Sequence, residues 1–128
     1  MKWLVDTHLL LWAAGETKKI PRVAKRLLED ETAELWFSAA SIWEVAIKNA
    51  LARRDFRAEP RQLRRGLLTN GWFELGINSE HAAAVSDLPA LHKDPFDRML
   101  LTQARLEGLT LLTSDDMVAE YPGPIRKV

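Results

Sequence analysis

The sequence contains no cysteine. That removes disulfides, thiolate metal sites and cysteine nucleophiles together, and it fits a reducing cytoplasm, where we expect the chain to reside. Long apolar runs are also missing. The longest, "LLLWAAG", is far too short to span a bilayer, so no membrane partner is expected. The opening "MKWLVDTHLLLW" has an acid in its middle and no small-residue cleavage site, so it does not read as a secretory signal. Neither charge is in surplus: 18 Lys and Arg face 18 Asp and Glu, so bulk charge points to no partner. There is no internal repeat, low-complexity tract or long linker. A chain of 128 residues is therefore read as a single domain, 1–128, large enough to bury its own core.

What is present is an alternation. "KWLVD", "ELWFS", "WFELGI" and "LTLLTSD" are short apolar runs of strand type, and the tail "IRKV" is a candidate fifth. Between them lie helical patterns. "THLLLWAAG" closes on Gly15, "PRVAKRLLED" opens on Pro21, and "PRQLRRGLLTNG" stops at Asn70-Gly71. "AASIWEVAIKNALARR" places Trp43, Ala46, Ile47, Ala50 and Leu51 on one stripe. "SEHAAAVSDL" has Ser79 as its cap, and "DPFDRMLLTQARLEG" runs from Asp94 to Gly108. Strands alternating with helices predict an α/β fold with a mostly parallel sheet of about five strands. In such sheets ligands collect beyond the carboxyl ends of the strands, where the strand order reverses.

Four acids fall at that edge. Asp6 ends the first strand, Glu44 lies early in the helix after the second, Asp97 opens the helix before the fourth, and Asp115 follows that strand, with Asp116 beside it. Each also has a plain structural role. Asp94 caps a helix whose first turn holds Asp97. Ser41 and Glu44 match capping-box spacing, and Glu44 can pair with Lys48. Asp115 and Asp116 suit a turn. Asp6 is hardest to explain this way, because acids are poor strand residues. Glu44 is the only charged residue from Ala39 to Ile47, and a buried unpaired carboxylate is costly. Two like charges about 4 Å apart repel by roughly 4 kcal/mol at an effective dielectric near 20. Separation, protonation or a shared cation would relieve such a cluster. Carboxylates from separate elements suit a hard ion such as Mg²⁺ or Mn²⁺, and no His or Cys spacing offers a zinc site.

Taken in order, "VDTHLLLW", "SAASIWEVAIK", "DPFDRMLLTQA" and "LLTSDD" resemble the PIN-domain nucleases over nearly the full length. Within them the chain looks like the VapC-type toxins of bacterial toxin–antitoxin pairs. The resemblance implies a three-layer α/β/α sandwich and metal-dependent cleavage of RNA by an acidic centre that binds Mg²⁺ or Mn²⁺. Its acids fall on Asp6, Glu44, Asp97 and Asp115, with Thr7 and Ser114 as small polar neighbours. It leaves the roles of Asp94 and Asp116 open. It also implies a homodimer and an antitoxin partner.

Basic residues must offset an acidic centre that handles a polyanion. "RRDFRAEPRQLRR" holds six arginines against two acids, so Arg53, Arg54 and Arg57 are candidate RNA contacts, as is Arg98, unless they form a solvated face. His8, His81 and His92 are scattered and read as surface or turn residues. Trp3, Trp36 and Trp43 are assigned to core packing. Trp12 and the leucines before it are candidates for a partner-helix groove. Two rival readings remain: a receiver-like signalling domain, and a catalytically inactive PIN-like subunit that binds RNA or protein.

Overall fold

A computed structural model describes residues 1–128. All five expected strands form: β1 (Lys2–Val5), β2 (Glu34–Ser38), β3 (Phe73–Leu75), β4 (Thr110–Thr113) and β5 (Ile125–Lys127). They make one sheet in the order β3-β2-β1-β4-β5. Every pairing is parallel, with Leu4 opposite both Trp36 and Leu111. The order reverses between β1 and β4, so the predicted ligand edge lies where Asp6 and Asp115 leave their strands. A receiver domain, by contrast, has β1 between β2 and β3. The strand order removes that rival.

Side chains alternate across the sheet and build two cores. Trp3, Val5, Phe37 and Leu112 point to one face, against α1 (Thr7–Gly15), α2 (Arg22–Glu29) and α4 (Pro60–Thr69). Leu4 and Leu111 point to the other, against α6 (Pro95–Glu107) and Val118 of the short α7 (Asp116–Ala119). The result is a three-layer α/β/α sandwich. No helix is long and apolar enough to cross a membrane.

Local chemistry explains the element ends. Gly108 stops α6 with φ +68°, a left-handed conformation that a side chain resists. Asn78, rather than Ser79, caps α5 (Ser79–Ala84), and His81 completes a capping box. His81 is therefore 2 % exposed and not a surface residue. In α3 (Ala39–Ala50) the cap is Ser38, one turn before the expected capping box, which moves Ser41 and Glu44 into the buried interior of the helix. The apolar stripe of α3 faces outward: Trp43 is 59 % exposed and Leu51 70 %. Trp43 is thus not a core residue. The helix turns its small and polar side, Ala40, Ser41, Glu44 and Val45, inward instead. Leu9 and Leu10 are fully buried core residues and line no groove, whereas Leu11 borders an open cleft between α1, α2 and α4.

Candidate active site

Asp6 is held from three sides. Its backbone N–H extends the β1–β4 ladder to the carbonyl of Leu112 (3.0 Å). One carboxylate oxygen caps α1 by accepting from Leu9 N–H at 3.0 Å. The other accepts from the Thr113 hydroxyl across the sheet. Burial pushes its carboxyl up from the ordinary aspartate range. The bonds from Thr113 and Leu9 and the nearby His8 oppose that, and the charge of Asp115 adds to it. Asp6 is thus both a cap and an electrostatically costly group, so its structural role does not exclude a functional one.

Glu44 sits beside it, 3 % exposed, on the inner face of α3. Its Oε1 is 2.6 Å from the Thr7 hydroxyl, which donates to it and is itself 3.0 Å from the Ser41 hydroxyl. Its Oε2 accepts from the Lys48 ammonium at 2.5 Å. That ammonium also lies 4.6 Å from the centre of the Phe56 ring. The i,i+4 partner foreseen for Glu44 is therefore present, and aromatic carbon shields the pair.

Asp97 occupies the first turn of α6, which Asp94 caps by accepting from the N–H groups of Phe96 (2.9 Å) and Asp97 (3.3 Å). The Asp97 carboxyl is pushed up to about 6, first by burial and then by the charge of Asp94. A hydrogen bond from His92 works against this, while the charges of Glu44 and Asp6 add to it. Carboxylates from β1, α3 and α6 thus act on one another in a common field. The ring Nε2 of His92 lies 2.9 Å from Asp97 Oδ2. His92, Asp94 and Asp97 are the one group of three whose ligand-type atoms all lie within 4.8 Å of each other. Asp6, Glu44 and Asp115 stand outside that tight group.

Asp115 and Asp116 differ from the inner acids by being exposed. Asp115 caps α7, accepting from Met117 N–H at 2.8 Å, and its own N–H donates to the Thr113 hydroxyl at 3.0 Å. Thr113 therefore links Asp115 to Asp6. Ser114 is part-buried. Asp116 pairs with Lys127 at 2.9 Å.

The arginines divide. Arg98 turns its guanidinium onto the carbonyls of Pro89 (2.8 Å) and Val85 (3.2 Å) and the Tyr121 hydroxyl (3.0 Å), a clamp on the preceding loop with little left for phosphate. Arg53 pairs with Asp55 at 3.2 Å. Arg54 and Arg57 are exposed. The Arg54–Phe56 turn reaches the acidic edge, because Asp55 lies 3.4 Å from His8 Nε2 and Phe56 packs under Lys48. A cleft of about 760 Å³ opens between α1, α2 and α4, with Asp55 and Arg57 on its rim.

Sequence reasoning missed four contacts. Thr113 carries a readable signal, a hydroxyl residue ending a strand two positions before an acid. His92 carries one too, two positions before Asp94, but isolated histidines gave it no weight. Ser41 was assigned to a cap. Tyr121, the only tyrosine, had no signal at all.

A family model described as PIN domain matches residues 3–124. No curated protein matches the chain. Among solved structures, the chain is similar to VapBC2 from Rickettsia felis bound to a promoter DNA fragment, with TM-score 0.73, 13 % identity and coverage of 99 % of this chain and 98 % of that one. It is similar to VapBC-1 from nontypeable Haemophilus influenzae at TM-score 0.63, with 17 % identity and the same coverage. A domain of a functionally unknown protein from Methanocaldococcus jannaschii aligns at TM-score 0.59 and 18 % identity, over 99 % of this chain and 90 % of that one.

Proposed function

The chain belongs to the PIN-domain family, and on that premise we propose that it is a divalent-metal-dependent endoribonuclease, the toxin of a toxin–antitoxin pair. The observation that carries the reading is the part-buried Asp97 carboxyl, which accepts from His92 Nε2 at 2.9 Å and is raised to about 6 first by burial and then by the charges of Asp94, Glu44 and Asp6. No buried side-chain polar atom lacks a hydrogen-bond partner. The cost comes first from burial and then from repulsion between negative charges, and a cation would offset the second part.

The donors fit a hard ion. Carboxylate oxygens on separate rigid elements, with one imidazole nearby, suit Mg²⁺ or Mn²⁺. Asp97 and Asp6 would hold it, with Glu44 and Asp115 bonding directly or through water. When bound, such an ion acidifies water and neutralises charge on a phosphodiester. The residues do the rest. Thr113 and Leu9 fix the Asp6 carboxylate, and Thr7 and Lys48 fix Glu44. Both Glu44 oxygens are engaged, whereas Asp115 uses one oxygen as a cap. Asp115 is thus the freer base to accept a proton from the attacking water. Attack forms an oxygen–phosphorus bond and breaks the bond to the 3′ oxygen, which leaves a 5′-phosphate. The exposed Arg54 and Arg57 would offset the charge of the polyanion as it approaches.

Two of the similar structures are VapBC assemblies, and they support an antitoxin as partner here. The outward face of α3, with Trp43 and Leu51 exposed, favours association and supports a homodimer. The experiment is cleavage of a mixed RNA panel with Mg²⁺, Mn²⁺ or EDTA, using wild type and Asp6→Asn. Cutting is expected only with metal and only in the wild type. Cutting that survives both EDTA and the substitution would refute the reading. Metal-independent RNA binding without cutting would favour the inactive-subunit alternative.

A further inference from the structure

His92 lies in the stretch between Leu88 and Asp94, which forms no helix or strand. Its backbone is nevertheless fixed. The Tyr121 hydroxyl accepts from His92 N–H at 2.8 Å and donates to the His92 carbonyl at 3.0 Å. Tyr121 is 5 % exposed, and Arg98 holds its hydroxyl at 3.0 Å. The same guanidinium bonds the carbonyls of Val85, Leu88 and Pro89, anchoring the whole approach to His92. The ring of this pinned residue meets Asp97 Oδ2 at 2.9 Å, and no hydrogen bond reaches the other Asp97 oxygen. One buried tyrosine from the far end of the chain and one arginine thus converge on a single loop residue that touches one acid of the centre.

We propose that His92 is a positioning residue for Asp97: Arg98 and Tyr121 fix its backbone, and its imidazole holds Oδ2 so that Oδ1 stays open to the cation. This rests on the function proposed above. Outer groups that orient a ligating carboxylate set its affinity for metal, and their loss typically weakens binding by about 10- to 100-fold. A loop histidine without the clamp would swing between rotamers and pass that disorder to the carboxylate.

The test is titration of metal-free protein with Mn²⁺, followed through the EPR signal of the free ion. His92→Ala should weaken binding about tenfold or more, and Tyr121→Phe several-fold. His92→Gln keeps an N–H donor and should recover most of the affinity. In metal-free protein the His92 ring resonances should move with Asp97→Asn and stay in place with Asp116→Asn. These NMR shifts and the Tyr121→Phe titration decide the matter if His92→Ala fails to fold. Wild-type affinity in folded His92→Ala and Tyr121→Phe overturns the proposal. So does nitrogen coupling from His92 to bound Mn²⁺ in pulsed EPR, which would make it a ligand. If Asp97→Asn itself binds Mn²⁺ like the wild type, the acidic centre is not the ion site and the function proposed above falls with it.

Discussion

Asp97 and Asp116 are both first-turn acids of helices near the carboxyl edge of the sheet, yet their circumstances are opposite. Asp97 is 18 % exposed at the side chain and feels three other carboxylates. Asp116 is 86 % exposed and meets one lysine. Water screens the second almost fully, so it settles for a surface ion pair worth about 0–1 kcal/mol. The first has little water, and its only hydrogen-bond donor there is His92. An acid at a strand edge is therefore not evidence of a metal centre. Burial shared with other acids is the feature that separates a costly group from an ordinary cap.

The largest expected contrast is in activity. Asp6→Asn or Asp97→Asn should lower RNA cleavage by about 10²-fold or more, a loss typical of removing one key charge-stabilising contact. Asp116→Asn should leave the rate within about twofold. A comparable loss at Asp116 would erase the distinction.

Stability comes next. The Asp97 carboxyl rises from 3.8 to about 6 on folding. The folded chain therefore holds that proton more tightly than the unfolded one. The stabilisation is fully present below about pH 3.8 and is lost as pH climbs through 6. The swing is on the order of 3 kcal/mol. In metal-free buffer at neutral pH, Asp97→Asn should raise Tm by several degrees, and the gain should shrink to nothing near pH 4. Asp116→Asn should lower Tm slightly or not at all.

Thr113→Val should cost about 1–3 kcal/mol by leaving Asp6 without its cross-sheet donor. It should also raise the Asp6 carboxyl further, because that bond holds it down. An NMR titration of Asp6 together with a denaturant melt would check both. The smallest effects belong to the rim. Arg54→Ala and Arg57→Ala should each reduce the salt slope of RNA binding by about one. Arg53→Ala, already paired with Asp55, should do less.

Strand positions were readable because parallel strands buried on both faces leave unbroken apolar runs such as "KWLV" and "LTLL". Asp6 was readable because an acid between two such apolar runs stands out, although its role as the cap of α1 was not foreseen. The direction of α3 was not. Its apolar stripe looked like a core face, but Glu44 and Ser41 are the residues that turn inward, and no periodicity rule ranks a buried carboxylate above a tryptophan. Arg98 and Tyr121 were opaque for another reason: their partners are backbone carbonyls and a hydroxyl about 9–29 residues away, which leave no pattern in the chain.

The most direct test is the thermal melt of metal-free wild type and Asp97→Asn, each with and without Mn²⁺. Relief of crowded negative charge by a bound cation predicts that Mn²⁺ raises the wild-type Tm and barely moves that of Asp97→Asn. Equal shifts in the two proteins, or none in the wild type, would contradict it.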